Sequence, residues 1–456
     1  MPKSKTFDVV VIGSGSAGFS AVEAASRQGA KVCLIEKGKL GGECPNDACI
    51  PSKALLRAAA AYRSLGSIRE FGIDISGRSF DWGRIQAYRQ TIVETITGKQ
   101  GQRYEQLLKK LKVTLIRGEA RFTDSHEIEV AGERVVGKTF VVATGSVDVV
   151  PPIEGLSMAR VWGWKEALNA TRQPKSLAIV GGGPVGCEIA TFYASFGTRV
   201  LLLQSAPVVL HREDEEISQR SQEALETLGV EVVTNAQVQS CLNGGMGAMG
   251  LKVKINQQEK VFAVENVVIA VGKRPQVDRL GLDQNTLERS AHIFLAGDVD
   301  SGPMFTHTAH HEGWIAGYNA AFMALKRRGT KLKPDERVVP RVTFIDPEVA
   351  SVGMTQAEVL AKKKSVLVGR YETSVLGRSV TDRGKGGMVK LVADPKTRKL
   401  LGAHAICPHA GELIHEAALA ISLGARIDAL AGMIHAFPTY AEALKGAASQ
   451  TELLRI

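Results

Sequence analysis

The chain has no run of 18 or more apolar residues among its 456, so a membrane-spanning helix is not expected. Cysteine is scarce. Six residues are too few for a disulfide framework in a chain of this length, and they point to a reducing compartment, the cytoplasm. Nor is there a signal peptide to expect. Lysines do precede Val9-Val10-Val11-Ile12, but Asp8 and three glycines interrupt any apolar segment, and a buried first strand fits better. Acid is in deficit, with a formal net charge of +10. The basic residues are spread out. Their densest clusters, Lys326-Arg327-Arg328 to Lys333 and Lys362-Lys363-Lys364, read as solvated linker and surface, so no nucleic-acid partner is expected. What remains, 44% hydrophobic and 23% charged residues, suits a globular chain of about three domains.

Residues 6–36 read as strand, glycine-rich turn, helix and strand, a βαβ unit. An alanine-rich helix is expected over Ser52 to Leu65, and one long helical stretch over Ile85 to Leu111. A strand from Thr139 stops at Thr144-Gly145, and Pro151-Pro152 marks a boundary. Residues 176–204 repeat the opening pattern. Leu242 to Gly250 reads as a hairpin loop, 326–337 as a linker, and 338–456 as mixed strands and helices, including Glu412 to Leu423 and Tyr440 to Ala448.

Gly13-Ser14-Gly15-Ser16-Ala17-Gly18 sits between a strand and a helix. Its first glycine makes the tight turn, its second admits a pyrophosphate to the backbone, and its third packs helix on strand. The phosphate then meets free N–H groups at the helix start. Glu36, at the end of the next strand, is placed to accept from ribose hydroxyls. Gly181, Gly183 and Gly186 repeat the spacing, with Gln204 where an acid would stand. An acid there would repel a 2′-phosphate. Arg212 is a nearby cation and Ser205 stands where another would help, so NADH and NADPH both remain open. Two such turns argue for two dinucleotides, one held and one exchanged.

Cys44 and Cys49 lie five apart at the opening of a helix, in Gly41-Gly42-Glu43-Cys44-Pro45-Asn46-Asp47-Ala48-Cys49. That spacing permits a disulfide across a helical turn, and the helix N-terminus with Lys53 favours the thiolate. Glu43 and Asp47 oppose it. The alternatives are a pair of packed thiols or half of a zinc site. No second cysteine pair or neighbouring Cys/His set is there to complete a metal tetrahedron, so no metal is expected.

With these residues together, the chain resembles the class I pyridine nucleotide–disulfide oxidoreductases, the group of dihydrolipoyl dehydrogenase, glutathione reductase and mercuric reductase. Both cysteines and Ile50 to Lys53 match that group's active-site stretch. So do Gly118 to Phe122, Ala143-Thr144-Gly145, Gly272-Lys273-Arg274-Pro275, Ile293 to Asp298, Pro340 to Gly353, Gly402-Ala403-His404 and Ala410-Gly411-Glu412. The resemblance implies an α/β fold of two Rossmann-like dinucleotide-binding domains and a C-terminal α+β dimerisation domain. Its divisions would be 1–150 and 272–335 for FAD, 151–271 for NAD(P)H and 336–456 for the homodimer interface. It implies that Cys44 is the interchange thiol and Cys49 the thiol against the flavin, with Lys53 beside the flavin and paired with Glu188. Asp298 would hold the ribityl chain. Lys37, Gly41, Gly42 and Glu43 would line the flavin site. Ala120, Thr144, Gly145 and His307 would join them, and Gly272 would lie near the dinucleotides.

One departure stands out. The group's C-terminal signature, His-Pro-Thr-x-x-Glu, is here Phe437-Pro438-Thr439-Tyr440-Ala441-Glu442. Phenylalanine cannot carry the proton that a general acid delivers, a contribution of about 10²–10⁴-fold. His435, Tyr440, Glu442, His307, His310 and His311 are the candidate substitutes. Phenylalanine at this place is also similar to 2-ketopropyl-coenzyme M oxidoreductase/carboxylase, but Glu442 departs from that enzyme's pattern. Mercuric reductase fits less well: Thr451 to Ile456 holds no cysteine, and no metal-binding domain precedes Asp8. The leading expectation is electron flow from NAD(P)H through FAD to Cys44–Cys49 and on to a small thiol or disulfide. The others are a quinone, metal-ion, oxygen or carbanion acceptor, and a redox sensor without turnover.

Overall fold

The computed structural model describes residues 5–157, 160–243 and 248–455. The chain divides into two compact units.

The first unit comprises Met1–Ala54, Arg84–Val150 and Gly272–Asp335. Its sheet is led by Lys5–Ile12, flanked in parallel by Val32–Glu36 and Glu133–Val142. Thr114–Arg117 extends one side, and Ile293–Leu295 pairs with Glu133–Val142. Val9, Val10 and Val11 are fully buried, as expected for a strand covered on both faces. Helix Ser16–Arg27 lies against helix Thr306–Ala324. Their backbones nearly touch. A Cβ on Gly313 would lie 2.1 Å from the Ala17 carbonyl oxygen, and one on Gly317 2.2 Å from that of Ala21.

The second unit comprises Leu55–Gly83, Pro151–Val271 and Glu336–Ile456. Ser176–Val180 is parallel to both Arg199–Leu203 and Asn266–Ile269, the repeat of the opening pattern. Ala236–Asn243, Met249–Ile255 and Gln258–Val264 form an antiparallel ribbon. The loop expected over Leu242 to Gly250 falls partly on 244–247, outside the described residues. The C-terminal segment is a six-stranded sheet with helices Ala410–Ser422 and Glu442–Ser449 against it. Its core includes Ile414, Ala417, Leu444 and Ala447.

Two expectations need correction. The stretch Ile85 to Leu111 is not one helix. Trp82–Thr97 ends at Gly98 (φ +73), a short 3₁₀ turn follows, and Gln102–Lys110 resumes. Left-handed φ at Gly98 stops the i→i−4 ladder, and glycine is the residue that takes it without strain. The cysteine pair also does not share one helix. Cys44 lies in the single turn Glu43–Asn46, Asp47 leaves helical geometry (φ −132), and Cys49 opens a new helix, Cys49–Ser67. Residues 326–337 are irregular and mostly exposed. Among the described residues no helix is long and apolar enough to cross a membrane.

Candidate functional site

The first glycine turn is shaped by what a side chain would strike. A Cβ on Gly13 (φ +99) would sit 2.3 Å from the Ala143 carbonyl oxygen, and one on Gly18 1.9 Å from that of Gly13. At Gly15 the space is open, with nothing within 4 Å. This is a cradle closed by protein at its ends and open at its middle, the form that receives a pyrophosphate. FAD fits it. Ser16 and Ala17 begin the helix behind the turn. Glu36 already receives three donors: Ser14 N–H at 2.8 Å and Ser14 Oγ at 2.6 Å on one oxygen, Gly38 N–H at 2.6 Å on the other. Its orientation is thereby fixed, with lone pairs left for a ribose.

Of the remaining expected flavin residues of this unit, Gly41, Gly42 and Thr144 meet the same turn. Gly41 N–H donates to the Ser14 carbonyl (3.1 Å). A Cβ on Gly42 would lie 2.7 Å from the Gly15 Cα. Thr144 Oγ1 donates to the Gln276 carbonyl (2.7 Å), Gly145 has φ +73, and Asp298 accepts from Ser146 Oγ (2.6 Å). Ala120 is buried in strand Ala120–Asp124. Lys37 pairs with Glu119 at 3.0 Å. His307 is exposed and stacks on Phe305.

Cys44 and Cys49 stand side by side as thiols joined by a hydrogen bond. Cys49 Sγ lies 3.4 Å from Thr306 Oγ1, and Ser16 Oγ donates to the Thr306 carbonyl at 2.9 Å. Thr306 thus ties the cysteines to the first turn's helix. Nothing local in the sequence marks it. Tyr104, packed under Gly41, was equally silent. The Cys44 thiol is pushed up, first by its hydrogen bond to Cys49 and then by burial; Lys53 pulls the other way, more weakly. Two adjacent sulfurs resist carrying two charges, so the reduced pair holds one thiolate more readily than two. The expected opposition from Glu43 and Asp47 is also offset, because Glu43 pairs with Lys273 and Asp47 with Lys39.

In the second unit the glycine turn is rebuilt. A Cβ on Gly181 (φ +112) would lie 2.3 Å from the Ala270 carbonyl oxygen and one on Gly186 1.9 Å from that of Gly181, while Gly183 has nothing within 4 Å. A second dinucleotide fits by the same reasoning. Gln204 does not offer its amide to solvent. It is buried, its Oε1 accepts from Gly182 N–H (3.3 Å) and Ser205 N–H (3.1 Å), and its Nε2 meets the Val208 carbonyl and His211 Nδ1. Gln204 holds the turn, leaving Ser205, His211 and Arg212 exposed around it. Gly272, in the first unit, has φ +118 and open space about it. Glu188 is buried on helix Pro184–Ser195 and accepts from the Phe344 N–H (3.1 Å).

Phe437 is 79% exposed. Glu442 accepts from the Thr439 N–H (2.9 Å) and so closes the turn after Phe437. Of the candidate substitutes, the His435 side chain is 3% exposed and meets Glu416 at 3.0 Å. Tyr440 is buried in the C-terminal core. His310 and His311 are exposed. Among the described residues no group of three or more His, Cys, Asp or Glu could hold a metal ion.

The family described as pyridine nucleotide-disulphide oxidoreductase matches residues 7–313, and its dimerisation domain matches 339–448. A dihydrolipoyl dehydrogenase of Thermus scotoductus is 35% identical, over 97% of this chain and 97% of its own. A mercuric reductase of Staphylococcus aureus is 32% identical, over 97% of this chain and 82% of its own. Among solved structures, the Cu(II) complex of the HOCl-induced flavoprotein disulfide reductase RclA from Escherichia coli superposes with a TM-score of 0.84 at 25% identity, covering 98% of this chain and 99% of that one.

Proposed function

Because this chain belongs to the pyridine nucleotide-disulphide oxidoreductase family, whose members depend on FAD and NAD(P)H, we propose that it carries electrons from NAD(P)H to a Cys44–Cys49 disulfide and on to a small disulfide acceptor. The observation that supports this most is the cysteine pair itself: two adjacent sulfurs linked through Thr306 to the helix of the first glycine turn.

Bound FAD would supply the two-electron relay between nicotinamide and sulfur. Gly13, Gly15 and Gly18 would hold its pyrophosphate, and Glu36 and Asp298 its hydroxyls. Gly181, Gly183 and Gly186 would hold the exchanging dinucleotide. The protein's own step is thiol exchange. Two electrons break the Cys44–Cys49 bond. The Cys44 thiolate then attacks one sulfur of the acceptor, forming a mixed disulfide and expelling a thiolate. Cys49 attacks Cys44, expels the second thiolate and restores the internal bond. Two protons are taken up by the departing sulfurs. Lys53, whose charge bears on Cys44, stabilises the attacking anion.

A second reading is favoured by one residue. Phe437 stands where the family's acid would be, and His435 and Tyr440 are buried within their own chain. An acceptor that needs no proton escapes this deficit. A reducible metal ion is such an acceptor: two Cu(II) ions take one electron each, becoming Cu(I), as the two thiols release two protons to water and close to a disulfide. The similarity to a reductase solved with Cu(II) points the same way. Anaerobic NADH or NADPH should bleach the flavin. Turnover is then compared with lipoamide, glutathione disulfide, a quinone, mercuric ion and Cu(II). Loss of all acceptor turnover in Cys44→Ser and Cys49→Ser supports the proposal. Full turnover in both variants overturns it.

A further inference from the structure

The stretch after the second turn's outer strand carries Ser205, His211 and Arg212 past the expected dinucleotide. It is anchored from the C-terminal sheet. Leu210 N–H donates to the Gly182 carbonyl (2.8 Å), and the Leu210 carbonyl accepts from Glu213 N–H (2.8 Å) and Ser218 Oγ (2.9 Å). Just past Arg212, three carboxylates meet cations of the C-terminal segment. Glu213 meets Arg341 (2.8 Å), Asp214 meets Lys390 (2.7 Å), and Glu216 meets both Lys390 (2.6 Å) and Arg370 (2.8 Å). Lys390 is 1% exposed. It stands directly across the sheet from Arg370, where like charges repel, so the pair is tolerable only with acids between them. A buried lysine and aspartate at this cost fix a geometry more than they add stability.

We propose that Lys390 is a positioning residue for the nicotinamide dinucleotide: by gripping Asp214 and Glu216 it sets the 205–213 loop against the Gly181–Gly186 turn. The dimerisation segment therefore helps to determine dinucleotide affinity, although it supplies no group to that site. The inference rests on the second turn's binding NAD(P)H, as proposed above.

The test uses the FAD-loaded protein, mixed anaerobically with NADH and with NADPH, and follows the rate of flavin bleaching against dinucleotide concentration. Lys390→Met and Arg341→Met should raise the half-saturating concentration about tenfold, less than the ~10²-fold that a 1 Å misplacement can cost. The limiting rate should stay within about twofold, the signature of lost binding without lost chemistry. Arg398→Met removes the Arg398–Asp428 pair of the same segment. It should lower the melting temperature and leave half-saturation unchanged. Unchanged half-saturation in Lys390→Met and Arg341→Met, or an equal rise in Arg398→Met, overturns the inference. If Lys390→Met does not fold, Arg341→Met, at the rim of the cluster, decides alone. Wild-type protein that retains flavin but bleaches with neither dinucleotide defeats the underlying proposal, and this inference falls with it.

Discussion

At the scale of single residues, burial sorts the six cysteines. Cys33 and Cys407 are pushed up to about 12 by burial. Cys187 and Cys241 are raised for the same reason, and all four are buried. Cys44 and Cys49 alone are partly open. Accessibility, not acidity, sets this pair apart, so alkylation after reduction by NAD(P)H should label these two, detected by peptide mass spectrometry, and label neither before reduction. Labelling of a buried cysteine first would contradict the assignment. Phe437 carries the other prediction at this scale. Phe437→His would place a proton donor in the turn that Glu442 closes by accepting from the Thr439 N–H. Turnover with glutathione disulfide or lipoamide should rise, by up to about 10²-fold at the lower bound for an acid. No rise with either would remove the missing proton as the explanation.

At the scale of elements, the two glycine turns were legible because their chemistry is local. The strand run, the spacing and the strand-end residue all fall within about thirty positions, the length of one βαβ unit. Gly15 and Gly18 nonetheless do different things, as their surroundings show. Gly18→Ala would place a methyl group 1.9 Å from the Gly13 carbonyl oxygen, so the turn must open. The apoprotein should lose stability, by about 1–3 kcal/mol for an overpacked site, and flavin as well. Gly15→Ala meets nothing within 4 Å. Its apoprotein should melt as wild type does, while the protein as purified loses its flavin absorbance. Equal melting of both apoproteins would contradict this division. The break at Gly98 was not foreseen because helical periodicity continues on both sides of it. The close packing of Gly313 and Gly317 on helix Ser16–Arg27 was also silent. It joins residues about 300 positions apart in the chain, and only the folded pair shows why a side chain is excluded there.

At the scale of the whole molecule, the matched dimerisation domain supports a homodimer. Ile434, Phe437 and Leu423 on that domain are 91%, 79% and 75% exposed in the single chain, which makes them candidates for the surface a second copy covers. Ile434→Asp should shift the mass in solution toward the monomer, measured by light scattering; an unchanged dimer would place the interface elsewhere. The charge cluster adds a pH dependence. Burial alone would raise the Glu216 carboxyl, but hydrogen bonds from Arg370 and Lys390 outweigh it and hold it at about 2. A depressed folded value means stability that is complete above the ordinary carboxylate value and is lost as pH falls toward 2. The melting temperature should therefore drop between about pH 5 and about pH 2. Glu216→Gln should flatten that drop, and an unaltered slope in the variant would exclude this carboxylate as a source.

The sequence by itself determined the doubled nucleotide-binding pattern and the candidate redox pair, since each is a matter of residue type at short spacing. Only tertiary structure decided where charge and space lie. It neutralised Glu43 with Lys273, turned Gln204 inward to hold its own turn, set Thr306 beside Cys49, and buried Lys390 against acids more than 170 residues away. The physical reason is the same in each case. Electrostatic and steric effects depend on distance in space, and the chain between these partners leaves no periodic or compositional trace of the distance at which folding will set them.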